Sequence, residues 1–339
     1  MQWKTTPPLN LALQGGGAHG AFTWGVLDVL LEQGLPFDGV SGTSAGAMNA
    51  VVLAHGLAHG GAAGARTALR TFWSAVADSL PFEVAVPDAE GRPTALAPPL
   101  RLLLQWSHYF SPEQINPFDL NPLRDILLAQ IDFEHLRRQS PVRLFLAATH
   151  VHSGKLRLFR NPELSADAVL ASACLPTMHR TVVVDGEPYW DGGYAANPAV
   201  FPLFHECRAS DILLVMLAPL RHQTLPQGAQ DIRHRMMELA FNATFLREMR
   251  MFAHLREQVQ AIPWWRQGPL ERRLARARFH VVEAAELMGE LHTESKLAAS
   301  RQFFEMLHAL GRERAHAWLA AHRADVGRRS SADLASLFY

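Results

Sequence analysis

The heptapeptide Val40-Ser41-Gly42-Thr43-Ser44-Ala45-Gly46 permits few local structures. Phe37-Asp38-Gly39-Val40 before it reads as a short buried strand. Ala45 to Leu57 after it is proline-free and rich in Ala, Met, Val and Leu, which reads as a buried helix. A serine between the two must sit on a sharp turn whose flanks are small, and Gly42, Ala45 and Gly46 meet that need. The pattern Gly42-x-Ser44-x-Gly46 is that of a nucleophile elbow, with the hydroxyl over a helix N-terminus that favours negative charge. The tripeptide spacing recurs in unrelated chains, so the strand–turn–helix context carries the reading.

A second glycine-rich loop lies upstream. Leu9–Leu13 alternates like a strand, Gln14-Gly15-Gly16-Gly17-Ala18-His19-Gly20 follows, and a helix is expected from about Ala21 to Gln33. Gly15, Gly17 and Gly20 also satisfy G-x-G-x-x-G, the dinucleotide fingerprint, with Asp38 near the spacing of a ribose-binding acid. Asp38, however, begins the second strand, whereas that acid stands at a strand's C-terminal end, and here Ser44 occupies that end. Beside an elbow, free loop amides serve equally as an oxyanion hole, the reading preferred here, with a nucleotide-binding module as the alternative.

Ser44 needs a base. None of the 17 histidines falls in a motif, and His150 and His152, two apart at a strand end, do not by themselves define a metal site. Asp191 follows a strand containing Tyr189 and Trp190, and Gly192-Gly193 lets the backbone pass close to another element. The same Asp-Gly-Gly is also an ordinary turn.

Composition bounds the class. With 48% hydrophobic and 19% charged residues over 339 positions the chain is globular. Lys+Arg and Asp+Glu are both 32, so there is no basic footprint for nucleic acid. Cys174 and Cys207 offer no disulfide framework. Residues 1–8 lack the apolar run of a secretory signal, and no stretch approaches ~20 apolar residues. A cytoplasmic protein is expected, able to touch a membrane peripherally.

Alternating strands and helices over residues 1–220 predict a three-layer α/β/α core with a mostly parallel sheet. Within it, 81–122 is a proline-broken insertion with a short helix expected at Leu100–Trp106. Its apolar side chains, among them Phe82, Leu103, Trp106, Tyr109, Phe110 and Phe118, suit either a lid over the site or plain packing. Residues 221–339 read as a mostly helical C-terminal subdomain with one strand near Phe279–Val282. Helices are expected at about Ala229–Gln260, Ser295–Leu310 and Glu313–Ala324, and the tail from Gly327 reads as loose.

The glycine loop, Gly42-x-Ser44-x-Gly46 and Asp191-Gly192-Gly193, in this order and at these separations, resemble the patatin-like phospholipase family. The likeness extends to the small-residue block Leu170–Pro176, to Asp191–Pro198 with its Asn197-Pro198, and to Phe279–Leu319 with Ser295-Lys296-Leu297, which is similar to the C-terminal region of a bacterial subgroup. The resemblance implies Ser44 as nucleophile and Asp191 as base, a dyad without histidine. Gly15, Gly16, Gly17 and Ala18 would form the oxyanion hole, and Gly42 and Gly46 the elbow. It implies calcium-independent hydrolysis of a lipid or other acyl ester through an acyl-enzyme, with no cofactor and no metal. The same dyad would serve acyl transfer, and an idle lipid-binding protein would keep the fold without the chemistry. Three positions depart from the family. His19 stands where arginine or lysine is common, so a charge there at neutral pH is not assured. Met178 and His179 replace the apolar and proline residues often found after Pro176.

Overall fold

The computed structural model describes residues 7–79, 85–87, 91–97, 110–222, 225–291 and 293–339. Strand β1 (Leu9–Leu13) is buried along its whole length, as a central parallel strand should be. It leads through the glycine loop into α1 (Gly20–Glu32). Strand β2 (Phe37–Thr43) ends one residue before Ser44, and α2 (Ala45–Asp78) begins one residue after it. The helix expected from Ala45 continues past Leu57 and kinks at Gly60-Gly61, where Gly61 adopts a φ of 57° that glycine takes without strain.

The insertion contributes a two-residue pair, β3 (Ala85–Val86) with β4 (Ala95–Leu96). The expected helix at Leu100–Trp106 and most of the lid side chains, Phe82, Leu103, Trp106 and Tyr109 included, lie outside the described residues. There follow α3 (Pro122–Gln130), α4 (Phe133–Gln139), β5 (Arg143–His150), β6 (Leu156–Arg160), α5 (Ala166–Ser172), β7 (Val182–Val184) and β8 (Glu187–Asp191). Asp185 and Gly186 have φ of 52° and 83°, the double left-handed turn that joins β7 and β8 as a two-residue hairpin. The remainder comprises α6 (Phe201–Glu206), β9 (Asp211–Val215), α7 (Ala229–Gln260), α8 (Pro269–Arg276), β10 (Arg278–Val282), α9 (Arg301–His322) and α10 (Leu334–Phe338).

The main sheet runs in the order β10-β9-β1-β2-β5-β8-β7, with β6 also paired to β5. From β10 to β5 every pairing is parallel, while β6, β7 and β8 add an antiparallel flank. Side chains alternate across it. Leu9, Leu11, Leu13, Leu213 and Val215 face a core shared with α1, α2 and α9, whereas Ala12, Ile212 and Leu214 face one shared with α7 and α10. Two apolar cores on opposite faces of one sheet make the expected three layers.

Two expectations for the C-terminal region are corrected. Residues 301–322 form one helix, not two, because Gly311 is a contact point and not a break. A Cβ there would strike the Phe22 carbonyl oxygen of α1, and one on Gly25 would strike the His308 carbonyl oxygen of α9. The paired glycines let the two helices cross backbone against backbone. The tail is also tied down. Ser331 donates its backbone N–H to Phe279 O at 3.1 Å, and α10 buries Leu334 and Phe338. Among the described residues no helix is long and apolar enough to cross a membrane.

Candidate active site

One strand brings the two motif residues together. Along β5, Ala147 pairs with Thr43 of β2, and the next residue, Ala148, pairs with Asp191 of β8. The β2 strand stops at Thr43, and β8 takes its place at the following rung. Asp191 therefore arrives where Ser44 leaves the sheet. Thr149 Oγ1 donates to the Asp191 carbonyl at 2.8 Å, and Asp191 N–H donates to Cys174 O at 2.7 Å, fixing the backbone of the acid.

Ser44 has φ 54° and ψ −121°, a conformation that costs a non-glycine residue on the order of 1–3 kcal/mol. Its surroundings impose it. A Cβ on Gly42 would strike Gly46 O, and one on Gly46 would strike Leu13 O, so both elbow glycines are required by close backbone approach. The Ser44 N–H donates to Ser172 Oγ at 3.0 Å, and the Thr43 hydroxyl to Ala196 O at 2.8 Å.

Asp191 is 1% exposed. Burial drives its pKa up to about 7, against the opposing pull of the Gly193 amide, 2.7 Å from Oδ1, and of the Ser44 hydroxyl within hydrogen-bonding reach. A carboxylate poised there can take a proton near neutral pH. Gly192 is needed because a Cβ would meet Ala147 O.

The glycine loop lies against the elbow. A Gly15 Cβ would sit 2.7 Å from Thr43 O, so that residue too must be glycine. The Gly15 N–H, grouped by its motif with the oxyanion donors, instead donates to Asn197 Oδ1 at 2.8 Å. Its role here is to hold the loop. Gly16, Gly17 and Ala18 begin a 3-10 turn whose first amides have no partner within the turn itself. Gln14 fixes the other side, accepting from Leu217 N–H at 2.6 Å and Ala218 N–H at 2.9 Å, and donating to Asn242 Oδ1 at 3.0 Å.

His19 is not the cation that arginine or lysine would be. It is 2% exposed, and burial together with the nearby Lys296 charge lowers its pKa to about 3. The neutral ring bonds Ser295 Oγ through Nε2 at 2.7 Å. Gly17, at φ 57°, is pressed on the Lys296 carbonyl. Residues 295–296 thus form the seat of the loop. The positions that sequence reasoning left without a role are Ser172, Asn197, Ser295 and Lys296, all within quoted blocks, and Phe241 and Asn242 of α7, which carry no motif. Phe241 lies so close to Gly193 that a Cβ there would strike its ring.

Other candidates fall away from this centre. Asp38 accepts the Arg208 and Ala209 amides at the far end of β2, which rules out the ribose-binding role. His150 is engaged at the surface by Glu187 at 2.7 Å and Ser153 at 2.7 Å.

The family model for Patatin-like phospholipase matches residues 11–204, from the glycine loop through Asp191. The chain belongs to the patatin-like phospholipase family. Membership makes it, at that level, a lipid acyl hydrolase with a lipid substrate. No curated protein matches the chain significantly. Among solved structures, this patatin-like protein is similar to VipD from Legionella pneumophila at 16% identity and a TM-score of 0.37, over 91% of this chain and 67% of that one. It is also similar to a chain from the complex of full-length ExoU with full-length SpcU, of the Pseudomonas aeruginosa type III secretion system. There the identity is 15% and the TM-score 0.32, over 89% of this chain and 53% of that one, so the present chain spans about half its length.

Proposed function

We propose that this protein is a calcium-independent acyl-ester hydrolase of lipids in which Ser44 attacks and Asp191 is the base. The observation that carries the reading is the placement of buried Asp191 one rung beyond Thr43 on β5, beside Ser44. The Ser44 proton passes to the Asp191 carboxylate as Oγ bonds the ester carbonyl carbon. The carbonyl oxygen takes up the negative charge, which the Gly16, Gly17 and Ala18 amides and the α2 N-terminus stabilise. Collapse breaks the ester bond, and the leaving alcohol receives the proton from Asp191. Water then attacks the acyl-enzyme, giving its proton to Asp191, which returns it to Ser44 Oγ as the fatty acid departs. Nucleophile, base and oxyanion donors all come from the chain, so no step calls for calcium.

The test is labelling by a fluorophosphonate together with turnover of p-nitrophenyl esters. Both should be abolished in Ser44→Ala, with kcat falling on the order of 10⁶. Asp191→Asn should lose turnover nearly as far, and EDTA should leave the native rate unchanged. Normal turnover by a folded Ser44→Ala protein refutes the proposal.

A further inference from the structure

The site opens on the side of the sheet where the parallel strands β1, β2 and β9 end. Helix α7 descends from that side. Phe241 against Gly193 and Asn242 on Gln14 place its fourth turn at the mouth, and the turns before it extend outward from there. Those turns carry an unusual surface. Leu225 just before the helix is 87% exposed, and Ile232, Met236 and Leu239 are 44%, 63% and 47% exposed. Spaced i, i+4, i+7, the last three share one face. On the other side of Asp191, Leu120 lines a cavity with Cys174, whose carbonyl accepts the Asp191 N–H, and there Phe118 is 83% and Leu120 71% exposed. Arg180 Nη2 holds that segment by donating to Asn116 O at 3.1 Å and Pro117 O at 2.9 Å.

We propose that these two apolar groups, one on each side of the catalytic mouth, are the surface by which the protein docks on a lipid bilayer. The inference rests on the proposed hydrolase reading and deepens it. Large side chains this exposed, on both banks of one opening, mark a contact surface and not scattered surface residues. The occupant follows from continuity with the mouth, because a lipid's ester must reach Ser44 between these banks while its remaining chain lies in an apolar phase. Charge plays a minor part. Arg221 and Arg233 are exposed near the first group beside exposed Asp231, and the whole chain has zero net charge. Adsorption is therefore driven by apolar contact, with a small preference for anionic lipid.

The experiment uses the full chain carrying Ser44→Ala, so that binding is read without turnover, and phosphatidylcholine vesicles in a sedimentation assay. The Ser44→Ala protein should sediment with the vesicles, and adding M236S/L239S should lower its partition about tenfold or more. Raising salt from about 0.1 to about 0.5 M should change partition less than about twofold. In the active protein, M236S/L239S should leave turnover of p-nitrophenyl butyrate unchanged while turnover of vesicle phospholipid drops about tenfold. Unchanged vesicle binding in both M236S/L239S and Phe118→Ser overturns the proposal. So does light scattering that shows a native dimer dissolved by M236S/L239S with vesicle binding intact, since the face then belongs to a second copy. Vesicle binding lost in the variants of a protein that turns over no ester would uphold docking and reject the hydrolase reading alone.

Discussion

A Cβ built on Gly15 would stand 2.9 Å from the Cβ of Ser44. The first glycine of the loop and the proposed nucleophile thus lie against each other, 29 positions apart in sequence. Gly15→Ala should displace the serine by a fraction of an ångström. Misplacement of that order costs about 10²-fold in rate. We expect kcat on a short-chain ester to fall by about that factor while the melting midpoint shifts only a few degrees; a Gly15→Ala enzyme of normal rate would mean that the contact does not position Ser44.

With Asp191 as the proposed base, its carboxyl, pushed to about 7 by burial, should set the acid limb of the pH profile. The base works only when ionised. kcat/KM should fall about tenfold per pH unit below 7 and level off above it. A limb centred near 4, the ordinary range of an aspartate, would contradict the buried placement.

The same shift bears on stability with opposite sign. Asp191 titrates higher folded than unfolded, so its contribution is fully present below about 4, declines as pH rises, and is gone above about 7. Asp191→Asn has no charge to bury. It should therefore melt several degrees above the native protein at pH 8, with the gap closing as pH is lowered toward 4. Glu248, also raised to about 7 by burial against the Val200 and Phe201 amides, adds a loss of the same sign, so Glu248→Gln should show the same pattern without loss of the nucleophile's reactivity.

Ser295→Ala removes the partner of a buried ring. Leaving His19 Nε2 without its 2.7 Å bond should cost about 1–3 kcal/mol in urea unfolding. Because His19 titrates near 3, its effect on turnover should be independent of pH between 5 and 8. A turnover defect that appears only at one end of that range would point to a charged His19.

The α1–α9 crossing makes a prediction far from the chemistry. Gly311→Ala improves helix propensity by about 1 kcal/mol. It also drives a methyl group onto Phe22 O. Overpacking of this kind costs about 1–3 kcal/mol or more, so net destabilisation is expected in urea unfolding.

What could be read in advance followed from local constraint. The elbow and the loop are legible because close backbone approach admits few residues, and Gly15, Gly42 and Gly46 announce them. The alternation within Leu9–Leu13, and that of strands with helices over residues 1–220, predicts the layered sheet. Long-range partnerships were not legible. Nothing in the surroundings of Asn197 shows that its side chain takes the Gly15 amide, and nothing in Gly311 distinguishes a helix break from a helix crossing. Gly327 likewise suggested a free tail, while the burial of Leu334 and Phe338 depends on α7 and β10, which no local pattern names.

The seat beneath Gly17 and His19 is made of residues 295 and 296. During synthesis the loop, Ser44 and Asp191 therefore leave the ribosome before the seat does, and the loop can take its final support only once residue 296 has been made.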